Sequence, residues 1–590
     1  MTTDPNTLFT QAADHHRAGD FSSAISLYKQ VLESSPDHLD ARYLLGTALL
    51  QVGRFEESIE QLTQIVEQRS DVADVHNNLG IAHKATGNWE QAVRSFEAAL
   101  KINPDYSQAY FNLGSLMEQR SLFADAEKCY RHALRLNSSD TDARLALANV
   151  LKAQAKWPEA EMAYRECQRT GATDESLSIN LAFVLAKQER LEEAAVIYRE
   201  ILARQPDFAE IHASLSYLDE RRGNLSDALE AAQRATTINP DYAEGYNNLG
   251  IALRSLHRLD KAVESFKMAL ERNPEFALAE FNLGTTHLLA GNYRDGWPGY
   301  ERRAEAMGER PRSFMQPHWA GESLVGKNLF VFADQGFGDT IQFSRFLAEA
   351  KSRSQAKLIF ECQPELTGLF QNSPDVDQII PVGNPLPEFA AWISLASLPR
   401  IFDVTLETLS SYRVELNVES ALRKDLLDVL RGASDSRRKV GLVWRGNPEQ
   451  ARDVVRSCPV EFLSRLLDVD GVQFFSLQTG LANTPDQNWL EDQTARNRLV
   501  DIGSHLESFT ETAEVIEQLD LVITVDTATA HLAGTLGGPV WTMLCHTPDW
   551  RWGLQEPRTA WYPEMRLFRQ QQWGDWGTVI ENVVDGLRIL

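Results

Sequence analysis

The chain has 590 residues, which is too many for one hydrophobic core, so several domains are expected. A hydrophobic fraction of 43% and a charged fraction of 24% are typical of a soluble globular protein. The formal net charge of -25 argues against nucleic acid or an anionic membrane as the main partner, because both need clustered lysine and arginine.

Cysteine usage and hydropathy indicate the compartment. The five cysteines are odd in number, scattered and without C-x-x-C spacing, namely Cys129, Cys167, Cys362, Cys458 and Cys545. They are expected to be reduced thiols and not a metal site or a disulfide framework. The chain opens with no basic-then-apolar signal, and it has no apolar run of about 18 residues. A cytoplasmic protein without a membrane span is therefore predicted.

A spacing of 34 residues indicates an internal repeat in the first half. One position is small in every copy: Ala12, Gly46, Gly80, Gly114, Ala148, Ala182, Ser216, Gly250 and Gly284. A second position is also small, and a third usually holds an aromatic residue, as Ala24 and Tyr28 do in the first copy. Small residues let two antiparallel helices touch while the aromatic ring fills the space between them. This is the tetratricopeptide pattern, and about nine copies in residues 1–310 predict an α-solenoid.

An asparagine lies two residues before the small position in five copies: Asn78, Asn112, Asn180, Asn248 and Asn282. On the inner helices of a superhelix, these amides would line a concave face and could bind the backbone of an extended peptide. Alternatively, they are helix-surface residues or contacts between adjacent repeats. The series resembles the asparagine ladder in the repeat domain of eukaryotic-type O-linked N-acetylglucosamine transferases, and that resemblance implies a polypeptide acceptor.

The second half has a different organisation. Residues 311–327 have the Pro, Gly and Ser content of a connector. Strand-like runs then alternate with helical stretches, which predicts parallel sheets with right-handed crossovers. These runs are residues 329–333, 357–361, 378–382, 440–444, 472–477, 521–526, 540–545 and 565–568. A polar break at residues 431–439 predicts two Rossmann-like lobes, residues 328–430 and 439–572, and a final helix within residues 573–590 that could return to the first lobe.

The stretch from Leu521 to Leu544 predicts a binding site for a phosphorylated small molecule. An apolar run ends at Asp526, and a helix with small residues follows before the next apolar run. In such units, ligands bind beyond the carboxyl ends of the strands, where backbone N–H groups and the positive end of the helix dipole attract an anion.

Six motifs carry a family resemblance: FADQGFGDTIQFSRF from Phe332, VGLVWRGNP from Val440, RSCP from Arg456, VITVDTATAHLAGTLGGPVW from Val522, PDWRW from Pro548 and WYPEMRLFRQ from Trp561. The region resembles the GT-B glycosyltransferases of the heptosyltransferase type (glycosyltransferase family 9). More specifically, the chain resembles bacterial proteins that fuse tetratricopeptide repeats to such a domain, a group that includes flagellin glycosyltransferases. The resemblance implies a nucleotide-sugar donor, a protein acceptor and no other cofactor. The sequence predicts no metal site.

The turn from Gln335 to Asp339 joins the first predicted strand to a helix, and Gly336 and Gly338 in this acceptor loop allow close approach of a ligand or of backbone. Asp339 can be interpreted as the N-cap of that helix. The resemblance implies instead that it is the general base, which removes the proton of the acceptor hydroxyl. One base suffices for an inverting transfer if the leaving diphosphate is stabilised.

That stabilisation is expected from the second lobe. The amides of Thr527, Ala528 and Thr529 could bind the diphosphate, and His531, if protonated, could neutralise its charge. His531 could also be a packing residue, a reading that its place in the family's D-T-x-x-A-H pattern disfavours. Asp526 could accept bonds from the turn amides or from the donor's ribose, or it could cap the helix.

Further residues are candidates for donor binding. Arg456 matches a phosphate-binding lysine of the heptosyltransferases, and its alternative is a surface ion pair. Arg445 and Asn447 lie at the mouth of the preceding predicted strand. Trp550 could stack on a base or sugar and Arg551 could reach phosphate, or both belong to a packed loop.

Three functions stay open from the sequence. The first is a glycosyltransferase that selects a protein acceptor through its repeats. The second is a non-catalytic repeat scaffold with a degenerate glycosyltransferase fold. The third is an enzyme that acts on a saccharide acceptor and uses its repeats only for assembly.

Overall fold

The structure of the protein is a computed structural model that describes residues 4–171, 174–371, 373–416, 418, 422–432, 437–448, 453–482 and 484–590. It divides into two compact units, Met1–Pro206 and Asp207–Leu590. Within the described ranges, no helix is both long enough and apolar enough to cross a membrane. The five cysteines all lie within these ranges, and none of them forms a disulfide.

The first unit consists of antiparallel helix pairs. Its helices are α1 (Pro5–Arg17), α2 (Phe21–Ser34), α3 (Leu39–Gln51), α4 (Phe55–Gln68), α5 (Ala73–Ala85), α6 (Trp89–Ile102), α7 (Ser107–Gln119), α8 (Phe123–Leu136), α9 (Thr141–Ala153), α10 (Trp157–Arg169), α11 (Glu175–Lys187) and α12 (Leu191–Arg204). A Cβ added to Gly80 would lie 2.5 Å from the ring of Phe96. The small and aromatic positions of the repeat therefore pack against each other, as the sequence predicts.

The second unit begins with three more pairs and a short helix. These are α13 (Ala209–Arg221), α14 (Leu225–Ile238), α15 (Ala243–Ser255), α16 (Leu259–Arg272), α17 (Ala277–Leu289), α18 (Tyr293–Tyr300) and α19 (Arg303–Ala306). Across the described residues, α1 to α18 form nine pairs. The predicted repeat array and its number of copies agree with this arrangement.

The division between the units differs from the predicted boundary at residue 310, because the last repeats share a core with the α/β region. Trp297 donates its indole N–H to the Val404 carbonyl over 2.8 Å, and Trp561 donates to the Tyr293 hydroxyl over 2.9 Å. All of these aromatic side chains are buried. The ninth repeat is therefore part of the wall of the α/β region.

Glycines set the closest helix approach in the ninth repeat. A Cβ added to Gly299 would lie 2.4 Å from the Glu280 carbonyl oxygen, a backbone atom that cannot rotate away. Gly299→Ala is therefore expected to lower the free energy of unfolding by about 1–3 kcal/mol, the usual cost of overpacking. Gly538→Ala is the control, because a Cβ there would meet nothing within 4 Å. Thermal unfolding of the two variants tests this, and equal melting temperatures would contradict it.

Two sheets follow the repeats. Their strands are β1 (Asn328–Phe332), β2 (Lys357–Cys362), β3 (Gln378–Pro381) and β4 (Ala391–Ser394), then β5 (Arg438–Val443), β6 (Val472–Ser476), β7 (Leu499–Asp501), β8 (Leu521–Val525), β9 (Val540–Leu544), β10 (Arg558–Thr559) and β11 (Tyr562–Arg569). The first sheet has the order β3-β2-β1-β4 and the second β10-β11-β9-β8-β5-β6-β7. All pairs are parallel except β10 with β11.

The eight predicted strands are confirmed as β1, β2, β3, β5, β6, β8, β9 and β11, with ends shifted by a few residues. Three short strands, β4, β7 and β10, were not predicted. In the second sheet the chain runs from β5 outward through β6 and β7, and then returns to the other side of β5 with β8 and β9. The carboxyl ends of β5 and β8 are therefore a topological switch point, where ligands bind in open α/β sheets.

Helices cover the two sheets. They are α20 (Phe337–Phe343), α21 (Leu347–Ser354), α22 (Thr367–Phe370), α23 (Leu398–Ile401), α24 (Leu406–Leu409), α25 (Lys424–Arg431), α26 (Asp453–Arg456), α27 (Val460–Leu463), α28 (Pro485–Ala495), α29 (Phe509–Glu517), α30 (Ala528–Thr535) and α31 (Trp576–Ile589). The polar break lies partly outside the described residues, since 433–436 are not described. The final helix α31 does not return to the first lobe, because Val579 and Val583 pack in the core of the second sheet with Val440 and Trp541.

Candidate active site

The polar turn after β8 lies at the switch point of the second sheet. Residues 526–529 are partly exposed, although β8 itself is buried along its whole length. Thr527 is the N-cap of α30, and its hydroxyl lies 3.0 Å from the Thr524 hydroxyl instead of capping the helix. The alternative in which Asp526 caps this helix is therefore wrong, because Thr527 occupies the N-cap position. The first N–H groups of α30 lack intrahelical partners, so they can bind an anion.

The acceptor loop of the first lobe lies against this turn. A Cβ added to Gly338 would lie 2.8 Å from the His531 ring and 3.5 Å from the Ala528 Cα, so α20 and α30 touch through this glycine. Gln335 accepts a 2.6 Å bond from Gln363 at its carbonyl, which fixes the loop. The structure thus brings the predicted residues of the two lobes together.

Asp339 is held by an arginine of the second lobe. It lies in the first turn of α20, whose N-cap is Gly336, so the alternative of Asp339 as the N-cap is corrected. Its carboxylate pairs with the Arg551 guanidinium, which also contacts Gln342 and lies 2.7 Å from the Asp549 carboxylate. About 24% of the Asp339 side chain is exposed, against 9% for Arg551. Arg551 was expected to reach phosphate, but in this structure it joins the two lobes through Asp339.

Burial raises the pKa of the Asp339 carboxyl above its ordinary value, although the positive charge of Arg551 opposes the shift. The carboxylates of Asp549 and Asp334 add to the increase. A carboxylate with a raised pKa is a stronger base than an exposed aspartate. The environment therefore suits Asp339 to proton abstraction.

His531 is buried and neutral. Burial lowers its pKa well below the ordinary value, and the charges of Arg551 and Arg345 lower it further. Its Nδ1 lies 3.0 Å from the Tyr562 hydroxyl, and its ring stacks on Trp552 with centroids 5.2 Å apart. The condition under which His531 could neutralise the charge of the diphosphate, its protonation, is therefore not met in the free protein. The imidazole can position groups by hydrogen bonding but carries no charge.

Asp526 is the second acid of the site. Burial and the Asp549 carboxylate raise the pKa of Asp526 from 3.8 to about 6, while Arg456 and Arg551 lower it. Its carboxylate lies 4.0 Å from His531 Nε2. The charged form of Asp526 is thus costly in the free protein.

The stability of the protein should depend on pH through this group. Asp526 has a higher pKa in the folded than in the unfolded protein, so it binds a proton more tightly in the folded protein. Proton binding therefore raises the free energy of unfolding at low pH, and this contribution is lost as the pH rises through about 6. Asp526→Asn is therefore expected to stabilise the protein by up to about 3 kcal/mol at pH 7.5 and by little near pH 4. Melting curves at both pH values test this. A stabilisation independent of pH would contradict it.

Arg456 and Arg445 share a buried carboxylate. Arg456 Nε lies 3.4 Å and Arg445 Nε 3.7 Å from the two oxygens of Asp453, which is 3% exposed. Arg445 also lies 3.4 Å from Asp486. Both arginines are partly exposed at the end of β5, and Asn447 beside them is exposed. Arg456 is therefore not in a surface ion pair, since its partner is buried, and both arginines lie at the switch point.

The tryptophans after β9 are core residues. Trp550 is 6% exposed and its ring packs edge-on against Tyr293, Trp297 and Tyr300 of the ninth repeat. The prediction that Trp550 could stack on a base or sugar is therefore wrong, and its alternative, a packed loop, is what the structure shows for this ring.

Sequence reasoning missed four residues of the site: Asp549, Gln342, Tyr562 and Asp453. Asp549 and Gln342 lie inside quoted motifs, so their position was available as a signal. Tyr562 also lies inside such a motif, whereas Asp453 had no such signal, because its importance comes from its contact with Arg456.

The asparagines of the repeats make contacts between adjacent repeats. Asn112 donates to Asn77 over 2.9 Å, Asn248 to the Ala213 carbonyl over 2.9 Å and Asn282 to Asn247 over 3.0 Å. The two other members also bond to the preceding repeat, Asn78 with Thr47 and Asn180 with Asn149. Asn282 is 5% exposed, so the alternative of a helix-surface residue is wrong for it. The other four asparagines are half-buried: Asn78, Asn112, Asn180 and Asn248.

Comparisons with known proteins match separate parts of the chain. Models described as tetratricopeptide repeat match residues 15–79, 71–139, 180–243 and 243–276. The model of glycosyltransferase family 9 (heptosyltransferase) matches residues 495–573. The latter range includes Asp526, His531 and Arg551, and it excludes Asp339 and Arg456.

One curated relative is Protein FlbA of Caulobacter vibrioides, which is 26% identical over 332 residues. The match covers 52% of this chain and 54% of that protein, so the chain spans about half the length of the relative it matches.

Similar solved structures cover parts of the chain. YrrB, described as a TPR protein with an unusual peptide-binding site, is 24% identical, covers 32% of this chain and 97% of its own, and has a TM-score of 0.28. The thermophilic TPR protein TTC0263 of Thermus thermophilus is 21% identical, covers 31% of this chain and 100% of its own, and has a TM-score of 0.26. By its sequence matches, the chain combines tetratricopeptide repeats with a C-terminal region that matches the glycosyltransferase family 9 (heptosyltransferase) model over residues 495–573.

Proposed function

We propose that the protein is a glycosyltransferase that moves a sugar from a nucleotide-activated donor to a side-chain hydroxyl of a protein. The observation that carries the proposal is the meeting of Asp339 from the first lobe with Arg551 from the second, beside the half-exposed turn after β8. A basic carboxylate close to the N–H groups that begin α30 supports transfer from a donor whose leaving group is a diphosphate. The family 9 match supports glycosyl transfer in general.

In this proposal, Asp339 accepts the proton of the acceptor hydroxyl as its oxygen attacks the anomeric carbon. The bond from that carbon to the diphosphate breaks, and the electron pair leaves with the phosphate oxygen. Because one base acts from the face opposite the leaving group, the transfer is inverting. The proposal assigns no metal ion to the reaction.

The leaving diphosphate would be stabilised at the switch point. The N–H groups of Thr527, Ala528 and Thr529 and the guanidinium of Arg456 supply donors on one side of the crevice. A neutral His531 would donate or accept one hydrogen bond. The second carboxylate, Asp526, is suited to accept hydrogen bonds from the ribose hydroxyls of the donor. Such bonds offset the free-energy cost of keeping this buried carboxylate charged.

The repeats would select the acceptor. Asn78, Asn112, Asn180 and Asn248 keep part of their side chains exposed while they bond to the neighbouring repeat. An amide already fixed in this way loses little entropy when it binds a peptide backbone. The resemblance to flagellin glycosyltransferases makes flagellin the first acceptor to test.

Calorimetric titration of the full chain with a panel of nucleotide sugars tests the donor site. One nucleotide sugar is expected to bind, and Arg456→Ala should weaken it by about 10–100-fold through the loss of charged hydrogen bonds. Arg465→Ala is the matched control, because Arg465 is exposed and pairs with Glu581 on the surface. If no member of the panel binds, the chain is a scaffold and the proposal fails.

The acceptor is tested separately with the labelled donor. Transfer to flagellin that is lost when the four half-buried asparagines are replaced by alanine supports a protein acceptor. Transfer to a saccharide at the same rate by the unmodified protein and by the asparagine variant supports the alternative in which the repeats serve only for assembly.

A further inference from the structure

A polar cavity of about 220 Å³ lies outside the candidate active site. Its lining joins the eighth repeat, through His257, to the ends of β9 and β11, through His546, Arg569 and Gln570. His257 donates a 2.9 Å hydrogen bond from Nε2 to the His546 carbonyl, and the two imidazole rings stack with centroids 4.5 Å apart. The cavity is thus a built feature of the second unit.

Three buried polar atoms of the residues that line this cavity have no hydrogen-bond partner among the described residues. They are Nδ1 of His546, Nε of Arg569 and Nε2 of Gln570. Gln570 is 4% exposed, and its Oε1 accepts bonds from the backbone N–H groups of His546 and Gly574 at 3.2 and 3.0 Å. These two bonds fix the amide, so Nε2 must be the atom left without a partner. A buried donor without an acceptor costs about 1–3 kcal/mol, so such atoms are rarely left unpaired.

The charge of the cavity comes from Arg569. Its Nη atoms donate to the backbone carbonyls of Gly553, Trp552 and Glu556, which accept hydrogen bonds without neutralising the charge. Burial lowers the pKa of Arg569 to about 10, so it is still protonated at neutral pH. Burial and the charge of His257 lower the pKa of His546, so its imidazole is neutral there.

We propose that this cavity binds a small oxyanion, a phosphate or a carboxylate group, between the eighth repeat and the second sheet. An oxyanion supplies only acceptors, which is what the Nε–H of Arg569 and the N–H group of Gln570 require. Neutral His546 donates the third bond from Nδ1. The volume is below the about 300–1,000 Å³ of pockets for drug-sized ligands, so the ligand is a small ion or a single acidic group of a larger molecule.

The position of the cavity links it to the candidate active site. One loop, residues 545–557, contributes Cys545, His546 and Pro548 to the cavity and Asp549 and Arg551 to the active site. An anion in the cavity would therefore hold the base of the loop that carries the arginine facing Asp339. The inference does not depend on the identity of the transferred sugar, nor on whether the active site is functional.

Calorimetric titration of the full chain with inorganic phosphate and, separately, with acetate tests the proposal at neutral pH. At least one of the two is expected to bind, and the better ligand identifies the source of the oxyanion. Gln570→Glu should weaken binding by at least about tenfold, because it keeps the acceptor that holds two backbone N–H groups and replaces the free donor by a negative charge. His546→Phe, which keeps a ring against His257, should weaken binding by a smaller factor.

Two controls separate this cavity from other anion sites. Gln572→Glu adds the same charge two residues away, at an exposed position outside the lining, and should bind the anion as the unmodified chain does. Arg456→Ala should also retain the binding, since Arg456 belongs to the candidate donor site. Absence of binding by both anions, or equal affinity of the unmodified, Gln570→Glu and His546→Phe proteins, overturns the proposal.

Discussion

Replacement of Asp339 by asparagine is expected to lower kcat by about 10²–10⁴-fold, the usual contribution of a general base. Asparagine has nearly the same shape but cannot accept the proton of the acceptor hydroxyl. Donor binding should change little, because the proposed contacts of the diphosphate lie in the second lobe. Single-turnover transfer with saturating donor measures the chemical step, and calorimetry measures the dissociation constant of the donor.

Asp549→Asn is the matched control for this variant. Asp549 is the other carboxylate that pairs with Arg551, at 2.7 Å, and its side chain is 36% exposed. The control therefore removes the same kind of ion pair without removing the proposed base, and kcat should fall by less than about tenfold. If the two variants lose activity equally, Asp339 acts by holding Arg551 and not as the base.

Most of the predicted strands contain a run of buried apolar residues, although β3 and β11 are buried at only some positions. β8 and β9 are buried at every position, so their composition alone distinguishes them from helices and loops. The strands that it missed are short: β4 has four residues, β7 three and β10 two. Such segments depend on pairing with neighbours, and the pairing is not visible in the local sequence.

The place of the site could also be predicted, because parallel strands bring their carboxyl ends to one edge of a sheet. The state of its side chains could not. Arg551 and Asp339 are 212 residues apart in the chain, and only the closed arrangement of the lobes joins them. Whether His531 is charged depends on burial and on two distant arginines, which no local pattern reveals.

The repeats show the same limit. The 34-residue spacing correctly predicts the helix pairs, because it follows directly from packing within one repeat. The asparagine partners are one repeat away, as in the bond from Asn282 to Asn247, so their role depends on stacking between repeats. A periodic residue can equally serve the stack or a ligand, and the sequence does not distinguish the two.

Arg551→Met is expected to shift the pH dependence of transfer to higher pH. Arg551 lowers the pKa of both Asp339 and Asp526, so its loss leaves Asp339, Asp526 and Asp549 as neighbouring carboxylates and removes the guanidinium that pairs with Asp339 and Asp549. The pKa of Asp339 then rises further, and the carboxylate needed as a base exists only at higher pH. The rate at neutral pH should fall, and part of it should return as the pH is raised. A pH profile of kcat measures the shift.

The same variant should be less stable by about 3–5 kcal/mol, since it breaks a buried ion pair between the two lobes. Arg551→Lys separates the two effects. Because lysine keeps the positive charge, the pH profile should stay near that of the unmodified protein. Because lysine cannot contact Asp339, Asp549 and Gln342 together, the variant should still lose stability. If Arg551→Met loses activity with no shift in its pH profile, the arginine acts only by joining the lobes. A shift that lysine reverses would instead establish that its charge tunes the base.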